Sequence, residues 1–319
     1  LERVRARGRA RARKEAAHAR DADARVRVME VGARAREKRH ARVARARARE
    51  QRLARPRRPD EQHAARAELA DERRRAPDRG PEALEEDEPE RVAEATKRMN
   101  LNHIVITAVA RDDLKDGGAE HFQRTIEAVR ISNPKIIIEV LVPDFNDKDW
   151  ALEMVMEARP HIFNHNIETV ERLTPLVRSR AKYGRSLTVL KKAKDMVEGK
   201  VATKSGLMLG LGEREEEVFQ AMDDLREHGV TVLTMGQYLR PTAMHLPVVE
   251  YITPERFEEL RQIALKKGFR HVASGPLVRS SYHAADFHPE EDVLDAIESD
   301  LAKRAESKVE QGGKVTSSA

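Results

Sequence analysis

Residues 103–109 are HIVITAV and residues 135–142 are KIIIEVLV, two short apolar runs rich in β-branched side chains. Runs of this length and composition predict strands that are buried on both faces. The segment between them carries Phe122, Ile126 and Val129 at helical spacing. A buried strand, a helix and a second buried strand together predict a parallel sheet whose faces are covered by helices.

The same alternation continues on both sides of this unit. Further strands are predicted at 161–164, 202–209, 231–235 and 269–273, with helices at 90–99, 118–132, 148–158, 186–198, 215–228 and 254–267. Such a series predicts either a (β/α) barrel or a doubly wound open sheet. Neither GxGxxG after the first strand nor GxxxxGK[ST] is present, which disfavours a nucleotide-binding open sheet.

Composition divides the 319-residue chain near residue 85. Arg and Ala fill 45 of the first 80 positions, and the net charge of +5 is the sum of +14 over those positions and −9 over the rest. A segment without Ile, Phe, Tyr or Trp cannot bury enough apolar area to offset its chain entropy. We therefore predict an Arg/Ala-rich low-complexity segment that is disordered or helical and not a folded domain at 1–85, a barrel core at 86–290, and a C-terminal helix and polar tail at 291–319. Within that tail, we expect residues 308–319 to be disordered.

Three interpretations of residues 1–85 remain open. In the first interpretation, the segment is a basic arm that binds nucleic acid through phosphate contacts, beside a non-catalytic barrel. Alternatively it is a solvated, partly helical segment, because Ala and Arg are strong helix formers. The third interpretation is a GC-rich gene translated out of frame, since such codons then give mostly Arg, Ala, Gly and Pro. Arg outnumbers Lys 25 to 2 in the first 80 positions, which favours the frameshift.

The chain contains no cysteine, which excludes a disulfide scaffold and any Cys-ligated zinc or iron–sulfur centre in the sequence as it stands. It also has no run of 18 apolar residues and no apolar stretch typical of a secretory signal, so we expect no membrane span and a cytoplasmic location.

Polar residues collect where the predicted strands end, which is the working face of a (β/α) barrel. Each has a structural alternative: Asp112 and Asp113 can cap a helix, the glycines can permit close packing, and His165 can be a satisfied core histidine. If they are functional, Asp112, Glu168 and His165 also allow a different barrel enzyme with acid–base chemistry. The candidate residues at these junctions are Asp116, Gly117, Gly118, Asn164, Asn166, Glu168, Gly206, Gly210, Glu213, Arg279 and Ser281.

The chain from about residue 88 to 287 resembles lipoyl synthase, a radical S-adenosylmethionine (SAM) enzyme. Six motifs carry the resemblance, in the family's order and spacing, and together they are highly specific. They are VITAVARDDLKDGGAEHF (105–122), EVLVPDF (139–145), FNHNIETV (163–170), TKSGLMLGLGE (203–213), MGQYLRPT (235–242) and VRSSYHA (278–284).

The resemblance implies a partial (β/α) TIM-type barrel of the radical SAM type. It implies insertion of two sulfur atoms, at carbons 6 and 8, into an octanoyl chain on a lipoyl carrier domain, for lipoate biosynthesis. The implied cofactors are SAM and two 4Fe–4S clusters, one that cleaves SAM and an auxiliary one that supplies sulfur. The implied partners are the octanoylated carrier domain and an electron donor, and neither a membrane nor a nucleic acid is expected.

The resemblance also implies roles for single residues. Ser281 matches the serine that ligates an iron of the auxiliary cluster, and Arg279 lies where it would help position cluster or substrate. Asp116, Gly117 and Gly118 lie where the methionyl amino group is held. The other implied SAM contacts are Asn164, Asn166 and Glu168 for ribose and methionyl groups, Gly206, Gly210 and Glu213 for adenine, and Arg178 or Lys182 for the carboxylate.

One departure from the family pattern is large. The family has CxxxxCxxxxxC and CxxxCxxC triads and its first barrel strand before the equivalent of Glu88, where this chain has only the Arg/Ala-rich segment. Thiolates are the usual ligands of such clusters. We therefore expect this exact chain to bind no cluster and to be inactive, although the family that it resembles consists of enzymes.

Overall fold

The computed structural model describes residues 26–31, 83–178 and 180–313, and it describes the side chains of 83–178 and 180–304. Seven parallel strands form one sheet in the order in which they occur in the chain. They are β1 (Val26–Val31), β2 (His103–Ala108), β3 (Ile137–Leu141), β4 (Ile162–Asn164), β5 (Ala202–Leu209), β6 (Val232–Gln237) and β7 (His271–Gly275).

Helices alternate with these strands, as the sequence predicts. They are α1 (Glu88–Arg98), α2 (Ala119–Ser132), α3 (Asp149–Glu157), α4 (Thr174–Val177), α5 (Tyr183–Met196), α6 (Glu215–Glu227), α7 (Pro254–Lys266) and α8 (Glu291–Gly313). In the described sheet β1 and β7 are the two edges, so the strands form the partial barrel that was expected.

Two observations concern the ends of the chain. Strand β1 lies within residues 1–85, for which the sequence predicts no folded domain, and its backbone pairs with β2. Helix α8 runs to Gly313, into the tail that the sequence predicts to be disordered, where Lys308, Glu310 and Gln311 are good helix formers. The rest of both segments lies outside the described residues, so the division into three parts stays a prediction.

The main core lies between the sheet and its helices. Ile104 and Ile106 of β2 and Ile138 and Val140 of β3 are fully buried and belong to this core. The intervening residues of each strand face the opposite side, because side chains alternate along a strand. In a barrel that opposite side is the lumen, which is where the polar residues of β3, β4 and β5 collect.

A second, smaller apolar cluster closes the lumen near the amino ends of three strands. Ile137, Ile162 and Ala202 begin β3, β4 and β5, and they pack with Phe287 and Leu294 from the C-terminal part of the chain. The polar lumen residues stand after this apolar layer along the strands, towards the carboxyl ends. The fold therefore leaves the carboxyl end as the side from which a ligand reaches them.

No helix among residues 83–178 and 180–313 is long and apolar enough to cross a membrane.

Candidate functional site

A charged network lies in the lumen immediately above the apolar layer. Glu139 of β3 is fully buried and accepts a hydrogen bond from Asn164 Nδ2 at 2.9 Å. Lys204 of β5 places its Nζ 2.8 Å from Glu139 Oε1, and His103 Nε2 lies 3.5 Å from Oε2. Burial alone would raise the pKa of Glu139, but the charge of Lys204 and the contact with His103 lower it to about 2. Glu139 is therefore a carboxylate at neutral pH, and it fixes the orientation of the Asn164 amide.

Asn166 stands one layer further along the lumen. Its Nδ2 donates to Glu168 Oε1 at 3.1 Å and to Ser280 Oγ at 2.7 Å, while its Oδ1 is buried without a described hydrogen-bond partner. A buried acceptor without a partner is costly in a folded protein, so it marks a place where a donor from a ligand would be stabilising. Asn164 Oδ1 has the same property one layer below.

A β-bulge places Glu168 at the carboxyl end of the lumen. His165 N donates to Lys204 O and Glu168 N donates to Gly206 O, so β4 advances three residues where β5 advances two. Glu168 itself has a left-handed backbone with φ of 67°. A non-glycine residue in that conformation is uncommon and costs about 1–3 kcal/mol, so the surrounding contacts must hold it there. Burial raises the pKa of Glu168, against the opposing effects of the Asn166 amide and the Arg178 charge.

Two of the predicted glycines make room for protein groups. A Cβ on Gly206 would lie 2.6 Å from Asn166 Oδ1 and 3.0 Å from Thr234 Oγ1. A Cβ on Gly210 would lie 2.3 Å from Gln237 Nε2 and 2.4 Å from the carbonyl oxygen of Glu250. Gly206 therefore lets Asn166 lie across β5, while Gly210 lets the loop after β6 cross its own backbone.

Other predicted site residues make hydrogen bonds to backbone groups that are close to them in the sequence. Asp116 accepts from Gly118 N and Glu120 N at the start of α2, and these backbone bonds outweigh its burial and lower its pKa. Glu213 accepts from the backbone N–H groups of Gly210 and Leu211 and so closes its own loop. Arg279 is exposed and donates to the carbonyl of its neighbour Val278.

Ser280, which the sequence did not single out, is the serine that contacts Asn166, whereas Ser281 is half-buried beside it. The structure therefore brings together Asn166, Glu168, Arg178 and Gly206, with Thr234 and Ser280 as additions. It leaves Asp116, Glu213 and Arg279 in local contacts. The only signal for Ser280 in the sequence was its place next to Ser281 in the same motif.

His165 faces away from the lumen. It is fully buried, and burial lowers its pKa to about 4, with smaller effects from neighbouring charges and the Val142 carbonyl. A neutral histidine enclosed between strand and helix has no access to a ligand in the lumen. This placement removes His165 from the acid–base alternative, while Asp112 lies near the surface, paired with Asn146 and Arg180.

Replacing Gly206 by alanine tests the packing of the site. We expect the new methyl group to displace Asn166 and to lower the free energy of unfolding by about 1–3 kcal/mol, because it overpacks a filled lumen. Gly184→Ala is the matched control, since a Cβ there meets nothing within 4 Å and lies in helix α5. We expect that variant to be unchanged or slightly stabilised. Equal midpoints of urea unfolding for the two variants would contradict the proposed packing.

The residues present differ in how well they fit the implied cofactors. Asn166, Glu168 and Arg178 offer acceptors and a guanidinium, which suit the hydroxyl, ammonium and carboxylate groups of SAM. The iron–sulfur clusters do not fit, because the chain has no cysteine. Among residues 83–178 and 180–304, moreover, no three His, Asp or Glu side chains gather in a way that could hold a metal.

Comparison with known proteins gives consistent results. The sequence profile of the Radical SAM superfamily matches residues 65–225, and that superfamily uses SAM with a 4Fe–4S cluster. The chain is 57% identical over 204 residues to lipoyl synthase of Shouchella clausii, which covers 64% of this chain and 66% of that protein. The lipoyl synthases of Symbiobacterium thermophilum and Geobacillus kaustophilus are 58% and 57% identical over the same length, covering 63% and 68% of those proteins.

Among solved structures, Streptococcus suis SuiB bound to S-adenosylmethionine aligns with a TM-score of 0.48 and 10% identity, covering 67% of this chain and 49% of that one. The match to the first curated relatives spans just under two thirds of their length. The profile covers half of this chain, and the identity to the relatives is far above what chance gives. The chain belongs to the lipoyl synthase family of radical SAM proteins.

Proposed function

We propose that this chain contains the SAM-binding barrel of a lipoyl synthase. The reaction of the whole protein would be the insertion of two sulfur atoms at carbons 6 and 8 of an octanoyl chain attached to a lipoyl carrier domain. Its partners would be that octanoylated domain and an electron donor for the cluster. The observation that carries the proposal is the meeting of Asn166, Glu168 and Arg178 at the carboxyl end of the lumen, next to Gly206.

SAM, when bound, supplies the alkyl group that starts the radical chemistry of this superfamily. The residues of this chain would bind and orient it. Asn166 Oδ1 offers an acceptor to a hydroxyl or ammonium donor, and Glu168 offers a carboxylate to the methionyl ammonium group. Asn164 sits below them with its amide held by Glu139, so its free carbonyl is pre-oriented as an acceptor.

The cluster half of the site is missing from the sequence as it stands. One serine cannot hold a 4Fe–4S cluster in place of three thiolates, so neither Ser280 nor Ser281 replaces the absent triads. The cytoplasmic location and the second, auxiliary cluster also remain predictions. We propose that residues 1–85 are translated out of frame and that the correct frame restores both cysteine triads.

Iron content tests this proposal. The chain as it stands should bind no iron after anaerobic reconstitution with iron and sulfide. A frame-repaired protein should bind about eight irons per chain, four for each of two clusters. It should then convert an octanoylated carrier domain to the lipoylated form, measured by mass spectrometry together with release of 5′-deoxyadenosine.

The possible outcomes separate the parts of the proposal. If the other two reading frames across codons 1–85 lack cysteines at these spacings, the frameshift is wrong. If the repaired protein binds iron and cleaves SAM but leaves the octanoyl chain unchanged, the substrate assignment is wrong. Steeply salt-dependent DNA binding that disappears on deletion of residues 1–85 would instead support the basic-arm alternative.

A further inference from the structure

A buried chain of polar contacts connects the sheet to Arg178. His165 Nδ1 lies 2.8 Å from the carbonyl oxygen of Val142 on the neighbouring strand. On the other side of the ring, His165 Nε2 lies 2.9 Å from the hydroxyl of Ser186 in α5. Arg178 Nη1 then lies 3.2 Å from the same hydroxyl. His165 and Ser186 are both buried, so these contacts are made without competition from water.

The direction of each hydrogen bond follows from the groups at the ends. A carbonyl oxygen only accepts, so His165 Nδ1 carries the proton and donates to Val142. The neutral ring then has an acceptor at Nε2, and Ser186 must donate its hydroxyl proton to it. The lone pairs of Ser186 Oγ are thereby turned towards Arg178, which only donates.

One guanidinium nitrogen of Arg178, Nη1, makes all of the side-chain hydrogen bonds that the structure describes for this residue. Nη1 donates to the carbonyl oxygens of Asn166 at 3.1 Å and Ile167 at 3.4 Å, as well as to Ser186. These two carbonyls belong to the β-bulge, which interrupts the ladder. The Ile167 carbonyl also accepts from Thr169 N at 2.9 Å, so Arg178 adds a second donor there. Nε and Nη2 make no hydrogen bond to any residue that the structure describes. The outer edge of the guanidinium is therefore available to a ligand.

The open edge of Arg178 lies near a carboxylate that also lacks a full set of partners. The charge of Arg178 acts on Glu168, whose only described side-chain hydrogen bond comes from Asn166. A guanidinium and a carboxylate that stand near each other, each with unused bonding capacity, are complementary to the two charged groups of an α-amino acid. SAM carries such a group at its methionyl end.

We infer that Ser186 and His165 are positioning residues that hold Arg178 so that its open edge binds the methionyl carboxylate of SAM. The inference rests on the proposed SAM site and adds two residues outside the lumen to which the resemblance gave no role. Their role is indirect, because neither side chain reaches the ligand. Their removal leaves the charge of Arg178 in place and loosens its direction.

The experiment compares two nucleosides that differ in the methionyl group. SAM has the amino acid end and a sulfonium, whereas 5′-methylthioadenosine keeps adenine and ribose but has a neutral thioether and no amino acid end. Affinities of the full chain for both are measured by titration calorimetry or ligand-observed NMR. We expect Ser186→Ala to weaken the binding of SAM about fivefold, which is the contribution of one hydrogen bond, and to leave the affinity for 5′-methylthioadenosine unchanged. Arg178→Gln should weaken SAM about tenfold or more, again without affecting the shorter nucleoside.

Two further variants keep the test decisive. Thr188→Val removes a hydroxyl two residues further along α5. The described hydrogen bond of that hydroxyl is donated to the carbonyl oxygen of Gly184 in the same helix, so the variant should leave both affinities unchanged. Should Ser186→Ala fail to fold, His165→Asn replaces it, because the Asn amide can still donate to Val142 but offers Ser186 no ring nitrogen.

An equal loss for both nucleosides, or no loss for SAM, overturns the positioning role while the SAM site stands. If neither nucleoside binds the unsubstituted chain, the proposed SAM site fails, and the inference fails with it.

Discussion

Replacement of Glu139 by alanine is expected to lower the free energy of unfolding by about 3–5 kcal/mol, because it removes one partner of a buried ion pair. Lys204 is 4% exposed, and its ammonium group has no other described partner than the Glu139 carboxylate. Without that carboxylate, the ammonium group must stay charged in the lumen or lose its proton, and both cost free energy. Asn164 loses its acceptor at the same time.

The measurement is urea unfolding of the substituted and unsubstituted chains at pH 7. Asp149→Ala is the matched control, since Asp149 pairs with Lys192 at 2.6 Å but both side chains are well exposed. An exposed pair contributes at most about 1 kcal/mol, so this control should change little. Glu139→Leu together with Lys204→Met should recover most of the lost stability, because an apolar pair removes the uncompensated charge. Equal losses for the buried and exposed pairs would contradict the assigned network.

The helices and strands could be predicted because their signals are local. The apolar runs and helical spacings gave the strands from β2 to β7 and their helices to within about three residues, with the exception of the four-residue helix α4, which was not predicted. The largest error at a helix start is in α5, which begins at Tyr183 rather than 186. Gly184 is a poor helix former, and it concealed the first turn.

The network in the lumen could not be predicted, because its members are distant in sequence. Glu139 and Lys204 are 65 residues apart, and each looks like an isolated charge in an apolar strand. Their pairing depends on the register of β3, β4 and β5, which only the folded barrel fixes. The contact between Asn166 and Ser280 spans 114 residues and was out of reach for the same reason.

The sequence predicted at which end of the strands the candidate site lies, but not which residues contact one another there. Strand ends at the carboxyl edge gave Asn166, Glu168 and Gly206, because parallel strands bring those ends together. The β-bulge that turns Glu168 inward and the carbonyls of Asn166 and Ile167 towards Arg178 has no signature in the sequence. Side chains such as Glu213 and Asp116 satisfy nearby backbone groups, which a motif cannot distinguish from ligand contacts.

Acidification from pH 7 to pH 5 is expected to destabilise the fold by about 2 kcal/mol for each of two buried histidines. Burial lowers the pKa of both His161 and His165 from 6.5 to about 4. Each ring nitrogen accepts a hydrogen bond that a proton would abolish: His161 Nδ1 accepts from Ile138 N at 3.0 Å, and His165 Nε2 accepts from Ser186.

The direction of this pH effect on the free energy of unfolding follows from which state binds more protons. Between pH 6.5 and 4 the unfolded chain has protonated histidines while the folded chain keeps them neutral. The unfolded state therefore binds more protons, and the free energy of unfolding decreases as the pH is lowered. Glu139, with a pKa lowered to about 2, adds to the loss only below about pH 4.5, the ordinary pKa of its carboxyl. The window between pH 7 and pH 5 therefore excludes Glu139. Burial also lowers the pKa of His271, which adds to the loss, and raises the pKa of Glu168, which opposes it.

Urea unfolding at pH 7, 6 and 5 measures the effect, with His165→Asn as the variant that removes one contributor. That variant should lose about half of the pH dependence, because His161 remains. A free energy of unfolding that is flat between pH 7 and pH 5 would show that the two rings are not held neutral. If instead the dependence is present but His165→Asn leaves it intact, other groups titrate in this window, and the buried contact of His165 with Ser186 that orients Arg178 loses its independent support.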